Sequence, residues 1–542
     1  MNRLAWPMAA VLLATAATWG GAGPAMAQTK AAVTPEKPAA GELRPAALFS
    51  DHMVLQAGRQ TNVWGWDKPG RNVTVRVGEA KAAGKAGDDG RWEVKLPPVK
   101  AGGPMEMTIE GSGQVVVKDV LAGEVWVGSG QSNMEMPVDW GVWGAFGTPE
   151  FTKNAAEANF PSTLRMFKVR KNAALQPERD VRGEWQVCSY PAILKWSALG
   201  YFFGLDLQRQ LSQTPVGFIN CSLGGTSIQL WSSRKCLLET SPDSKKQLEY
   251  SWDAAQTQQA DFEKKEDAWK EAAAKAKAAG QPIPPEPNVP NFLPRPSSLF
   301  CGMLRPVMPY TISGVIWYQG ESNRKGPSAL AYGKNLIALI KDWRAEWGQG
   351  DFPFLLVQLP NYREECKTPV QVLPAEDSGW AMVRDGQFKA LQVPKTALVV
   401  TIDIGEAAST NYVQNIHPRN KQEAGRRAAL AAARLAYGKD IVANGPLYAG
   451  SAIKDGKVTI SFTSIGGGLK VRGGGELKGF AIAGSDKTFV WAQARIEGDT
   501  VVVWSDEVKE PAAVRYAWAE NPIGNLENVE GLPATQLRTD DW

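Results

Sequence analysis

The sequence predicts an α/β protein: a parallel sheet covered by helices on both faces, flanked at either end by an antiparallel β-sandwich region. Three observations predict it. Over residues 119–442 short apolar runs alternate with segments of helical period, the pattern of parallel strands joined by helices. Over 43–118 and 443–542 the period is two, with turn residues between runs. At 542 residues the chain also exceeds one ordinary domain.

At the N-terminus, Asn2-Arg3, an apolar run over 4–19 and the small-x-small triplet Ala25-Met26-Ala27 read as a signal peptide, residues 1–27. Pro7 and an apolar core shorter than the roughly 20 residues that span a bilayer weigh against a membrane anchor. Export to the periplasm or the medium follows, with no membrane span after cleavage. Residues 28–42, rich in Ala, Pro and Lys, read as a disordered leader.

Next come the period-two runs T-N-V-W-G-W (61–66), N-V-T-V-R-V (72–77) and R-W-E-V-K-L (91–96). In the middle region 120–127, 215–220, 313–318, 354–359 and 397–402 are predicted strands, and 197–211, 329–347 and 420–437 helices. Residues 243–296 interrupt this alternation with a charged helix to 280 and a Pro-rich stretch, an insertion over or beside the site. Period two returns in K-V-T-I-S-F (457–462) and T-V-V-V-W (500–504). Whether the two β regions form one domain is left open by the sequence.

Composition excludes several classes. A net charge of +4 with mixed signs throughout gives no footprint for nucleic acid or an anionic membrane. Five scattered cysteines have no metal-ligand spacing and allow at most two disulfides, or buried thiols. No metal or organic cofactor has a visible ligand set. The 21 tryptophans, against 2 histidines, suit either sugar stacking or core packing.

Four stretches at strand ends carry chemistry. V-W-V-G-S-G-Q-S-N-M (125–134) is a buried strand stopped by glycines, so that Ser132 either caps a helix or stands clear of the sheet as a nucleophile. A serine nucleophile needs a base, most often histidine. His52 lies in the N-terminal β region and reads as a surface or packing residue, whereas His417 sits in a loop between a strand and a helix started by Pro418 and Asn420. N-C-S-L-G-G-T (220–226) places backbone N–H groups where an oxyanion could develop. W-Y-Q-G-E-S-N (317–323) ends a strand in Gln319, Glu321 and Asn323.

Together these stretches resemble the sialate O-acetylesterase family of SGNH-type serine hydrolases. G-Q-S-N-M (130–134), L-G-G-T (223–226), W-Y-Q-G-E-S-N (317–323) and I-H-P-R-N-K-Q-E-A-G-R-R (416–427) are similar to its blocks and run in its order. So do L-F-S-D-H-M-V-L-Q (48–56) and the tail beginning N-P-I-G-N (521–525). The resemblance implies a flavodoxin-like three-layer α/β/α catalytic domain, with Ser132 as nucleophile and His417 as base. It implies oxyanion donors at the backbone of Ser132 and Gly224 and at the Gln319 amide, with Asn323 as the alternative. Gln131, Asn133, Glu321 and Asn323 would bind substrate. One departure stands out: Gln414 and Asn415 occupy the positions where such enzymes often carry an aspartate. Asp403, Glu406 or a backbone carbonyl is then left to orient the imidazole.

The resemblance implies hydrolysis of O-acetyl esters on a sugar, sialic acid first and plant xylan or xyloglucan as the alternative, without a cofactor. Arg305, Arg324 and Arg419 do not decide between them. A rival reading, a non-catalytic glycan-binding protein, predicts that Ser132 and His417 are dispensable. A lipase is disfavoured because the insertion is too charged to form an apolar lid. The sequence is silent on oligomeric state.

Overall fold

The predicted apolar runs assemble into one sheet. The structure, a computed structural model, describes residues 41–140, 160–241, 245–285, 287, 295–370, 379–406 and 416–542; the expected signal peptide and nearly all of the expected leader lie outside these. The path across the central sheet uses β1 (Gln114–Gly130), β2 (Leu164–Lys168), β3 (Trp185–Val187), β4 (Val216–Ser222), β5 (Gly314–Tyr318), β6 (Phe354–Val357) and β7 (Thr396–Val399). Their spatial order is β3-β2-β4-β1-β5-β6-β7. All pairings on this path are parallel except that of the edge strand β3. The outward progression of the chain reverses between β1 and β5, and open α/β sheets bind ligands at the C-terminal strand ends beside such a reversal.

Among the helices are α1 (Ser132–Glu135), α2 (Ala198–Gln210), α3 (Lys245–Ala278), α4 (Tyr332–Trp347), α5 (Gly379–Lys389) and α6 (Lys421–Tyr437). Successive strand residues point to opposite faces, and two cores result. Trp126, Ile316 and Leu355 pack with Leu199 and Phe203 of α2 and the alanines of α6. Val125, Trp317 and Leu356 pack with Leu336 and Trp343 of α4 and Trp380 of α5. This is the expected three-layer α/β/α arrangement. Among the described residues eight tryptophans are fully buried, Trp126, Trp317 and Trp343 among them, so much of the tryptophan content serves core packing.

The caps follow the sequence signals. The Ser197 side chain accepts the Gly200 N–H ahead of α2, and Asn420 accepts the Glu423 N–H ahead of α6. The insertion helix α3 is exposed along most of its length and buries only Trp252, Ala255 and Phe262. It is moored where the Trp252 indole donates to the Pro296 carbonyl and stacks under Arg234.

In the N-terminal region, strand Gly102–Glu110 pairs antiparallel with the first half of β1, and strand Val54–Gln56 pairs parallel with its middle. The boundary expected between 118 and 119 therefore falls inside one continuous strand. The C-terminal region forms antiparallel sheets of its own. It is joined to the middle region by the buried Arg384 guanidinium, which donates to the carbonyls of Ala519, Glu520, Leu359 and Pro360. From Ala40 to Trp542 the chain is one compact unit. All five cysteines are unpaired, and four are buried. His52 pairs with Asp119 at 2.7 Å in the N-terminal region, half-exposed, as a surface contact.

Candidate active site

Ser222 of β4, Gly130 of β1 and Tyr318 of β5 lie in register across three adjacent strands. The three motif loops consequently leave the sheet side by side. The Leu223 N–H donates to the Gly130 carbonyl, and the Gln131 N–H to the Tyr318 carbonyl, closing the strand ends. Gly130 has φ +133°, and a Cβ there would lie 2.1 Å from the Tyr318 oxygen, so the turn that follows the strand tolerates no side chain.

The structure separates the two readings of Ser132. Gln131 occupies the N-cap position of α1, and Ser132 is the first helical residue, half-buried. Its hydroxyl is therefore not the cap, and its N–H is one of those that a helix start leaves without an intrahelical acceptor. Gly224 lies against it: a Cβ on Gly224 would be 3.3 Å from the Ser132 Cβ. The Gly224 N–H, an expected oxyanion donor, is taken by the Glu135 carboxylate, with N to Oε2 at 2.6 Å. The other oxygen of Glu135 pairs with Lys171 at 2.7 Å. A cleft of ≈ 230 Å³ opens beside Glu135, lined by Lys168, Arg170, Lys171 and Lys195. Burial holds the Lys168 amine below its ordinary range.

The fourth loop is tied to the first. The Asn133 amide donates to the Ile416 carbonyl at 3.0 Å, so the residue after Ser132 is bonded to the residue before His417. The same amide donates to Glu321 Oε1 at 2.5 Å, and Lys421 donates to Asn133 Oδ1 at 2.8 Å and to the Pro418 carbonyl. Lys421 and Glu321 are fully buried. Desolvation pushes the Lys421 ammonium down to about 7, partly opposed by Glu321 and Glu406. Desolvation also raises the Glu321 carboxyl, against the bond from Asn133. The fourth motif contains Lys421 but announces no role for it; a lysine at the first turn of an amphipathic helix gives no sign in sequence that it points inward.

The motif amides behave differently from expectation. Gln319 is fully buried, and its Nε2 donates to Asn323 Oδ1 at 2.8 Å, the Thr226 carbonyl at 3.1 Å and Gln131 Oε1 at 3.2 Å. The Asn323 amide donates to Gln229 and Ser328. Neither amide has a proton left to aim at an oxyanion. Gln131, Asn133, Glu321 and Asn323 are each at most 3 % exposed, which makes them a polar scaffold beneath the site rather than a surface offered to a sugar. Sequence could name these residues but not their depth.

Asp403 is likewise committed elsewhere. Its two oxygens accept from Arg427 Nη1 and Nη2 at 2.7 and 2.9 Å, and Arg472 lies 3.5 Å away. The pairing is bidentate and largely buried, the geometry of a structural ion pair. Glu406 is held by Arg419 through its backbone N–H and its Nε. Gln414 and Asn415 lie outside the described residues. The indole of Trp140 stands edge-to-face with the His417 imidazole, ring centroids 6.1 Å apart.

Comparison with known proteins identifies the family. A family described as carbohydrate esterase, sialic acid-specific acetylesterase, matches residues 300–432, which include the third and fourth motif loops. The sialate O-acetylesterase of Pongo abelii is 30% identical over 445 residues, covering 74% of this chain and 73% of that protein, and the human one is 29% identical over 442 residues. The solved structure of a carbohydrate acetylesterase from Xanthomonas citri is 34% identical, with a TM-score of 0.75, and covers 92% of this chain and 100% of that one. A strand-end serine and a histidine loop bonded side by side, on a fold and sequence shared over most of the chain with these esterases, place the protein in the sialate O-acetylesterase family of carbohydrate esterases.

Proposed function

We propose that the protein is an exported serine esterase that removes O-acetyl groups from sialic acid. Ser132 Oγ attacks the acetyl carbonyl while His417 takes its proton. The oxyanion forms beside the Ser132 N–H, and beside the Gly224 N–H once the Glu135 carboxylate withdraws toward Lys171. The tetrahedral intermediate collapses, the C–O bond to the sugar breaks, and His417 returns the proton to the leaving alkoxide. Water, deprotonated by His417, then attacks the acetyl-enzyme and releases acetate and Ser132. Asp403 is a poor candidate to orient His417, because its carboxylate is spent on Arg427.

The observation that carries this reading is the Asn133–Ile416 hydrogen bond, which joins the serine turn to the histidine loop. Support for sialate is the name of the curated relatives and the cleft at Glu135, where Lys168, Arg170, Lys171 and Lys195 outnumber the carboxylates of Glu135 and Glu184, a balance that suits an acidic sugar. Support for export is the N-terminal pattern around Ala25-Met26-Ala27. A second reading, an acetylated neutral polysaccharide such as xylan or xyloglucan, is favoured by the exposed Trp140 beside His417.

Acetate release from O-acetylated sialic acid and from acetylated xylan, assayed in parallel, tests both. Ser132→Ala and His417→Ala should each lower the rate by about 10³-fold or more with the fold retained. Release from xylan alone would replace sialate by the polysaccharide. Full activity in Ser132→Ala would return weight to a binding protein.

A further inference from the structure

Most large aromatic side chains here are inside; Trp140 is 53% exposed. Leaving half an indole in water forfeits burial that the fold gains at most of its other described tryptophans, Trp491 and Trp542 being the further exposed ones. Nor is the exposure that of a loose end. Trp140 closes a short 3₁₀ turn, Val138–Trp140, in which Val138 is fully buried. The Val138 N–H donates to the Trp196 carbonyl and the Asp139 N–H to the Leu194 carbonyl. The Asp139 carboxylate pairs with Lys195. The backbone is thereby stapled to the segment before α2, and the indole is held out beside His417, 6.1 Å between ring centroids at an interplanar angle of 76°.

We propose that Trp140 is the stacking platform for the sugar ring that bears the acetyl ester. The proposal rests on the sugar-acetylesterase reading above and names a binding residue within it. A pyranose carries polar hydroxyls around its rim and axial C–H groups on its face. An indole face gains dispersion and weak C–H contacts from that apolar face while leaving the hydroxyls in water. A ring laid on Trp140 is seated beside His417, which has to reach both Ser132 and the leaving sugar oxygen. Because the turn is already pinned by hydrogen bonds, little ordering is needed when the ring arrives. Trp140 touches the part of the substrate that a simple alkyl acetate lacks, so its contribution belongs to selection of sugar esters over other acetates.

The test compares Trp140→Ala, Trp140→Phe and the wild type on ethyl acetate and on whichever of O-acetylated sialic acid and acetylated xylan the wild type hydrolyses. The ratio of kcat/KM for the sugar ester to that for ethyl acetate should fall about tenfold in Trp140→Ala. The fall should lie in KM for the sugar, and Trp140→Phe should recover part of it. Circular dichroism confirms that both variants fold. An equal fall on both esters would show that Trp140 acts through His417, and would overturn the proposal, as would a ratio that does not move. Ser132-dependent hydrolysis of ethyl acetate with no sugar ester cleaved by the wild type would overturn the sugar reading itself, and this proposal with it.

Discussion

At the scale of single residues, the structure redistributes roles that the motifs had seemed to assign. Asp403 shows how. It lies in the turn that follows β7, ahead of His417 in the chain, and a carboxylate there is a natural partner for an imidazole. Its actual partner is Arg427, one turn and a half into α6, in a contact where the two side chains are 13% and 6% exposed. Removing one member of a buried pair leaves the other charge unsatisfied. Asp403→Asn keeps one acceptor oxygen, so we predict a loss of stability of about 1–3 kcal/mol in urea unfolding. The acetate-release rate of the folded variant should stay within about tenfold of wild type. A rate as low as that of His417→Ala would mean that Asp403 does act on the imidazole. For Ser132 the strand-stopping glycines alone left a helix cap and a nucleophile both open; the structure removes the cap, because Gln131 holds that position.

At the scale of elements, the strand ends and helix starts form a joint. The register of β4, β1 and β5 brings three loops together, and Lys421 on the first turn of α6 fastens the fourth to Asn133. The sequence made the strands visible through continuous apolar runs, and α2 and α6 through their period and caps. It hid β2, β3 and α5: Arg165 breaks the apolar run of β2, β3 is only three residues long, and α5 begins beside residues 371–378, where no periodic pattern announces it. It also could not show burial of polar motif residues, since Gln319 or Glu321 reads the same whether it faces solvent or a neighbouring amide. Lys421 gives this joint a pH dependence. Its folded pKa is about 7, depressed from the ordinary lysine value of 10.5, so between those values the unfolded chain holds a proton that the folded one has shed. The lysine therefore adds stability as pH rises from about 7 toward 10.5 and costs most below 7. Relative to Lys421→Met, which has no proton to lose, the wild type should gain more than about 1 kcal/mol in urea unfolding between pH 6.5 and pH 9. A difference that does not change with pH would show that the amine keeps its proton in the fold.

At the scale of the whole molecule, β1 determines what can be separated from what. Period-two patterning in 43–118 and helical alternation after 119 are real differences, and they read as two domains because periodicity reports the local environment of a chain, not what a strand pairs with. β1 passes through both environments. Its first residues pair with Gly102–Glu110, its middle with Val54–Gln56, and its last with β4 and β5 at the active site. The cores are continuous across the same place, where Phe49 and Trp64 of the N-terminal region pack on Tyr310, and the Tyr310 hydroxyl donates to the Val54 carbonyl. A chain cut at the expected boundary would begin inside β1, lose the antiparallel partner of its first half, and expose Tyr310 and its neighbours to water. The unpaired edge and the uncovered apolar surface both favour aggregation. We therefore predict that residues 43–542 give a soluble, active enzyme with one cooperative thermal transition. Residues 119–542, expressed alone, should be insoluble and should recover neither solubility nor acetate release when 43–118 is supplied as a separate chain. Soluble, active 119–542 would show instead that the strand is shared only in passing, and that the α/β layers carry their own stability.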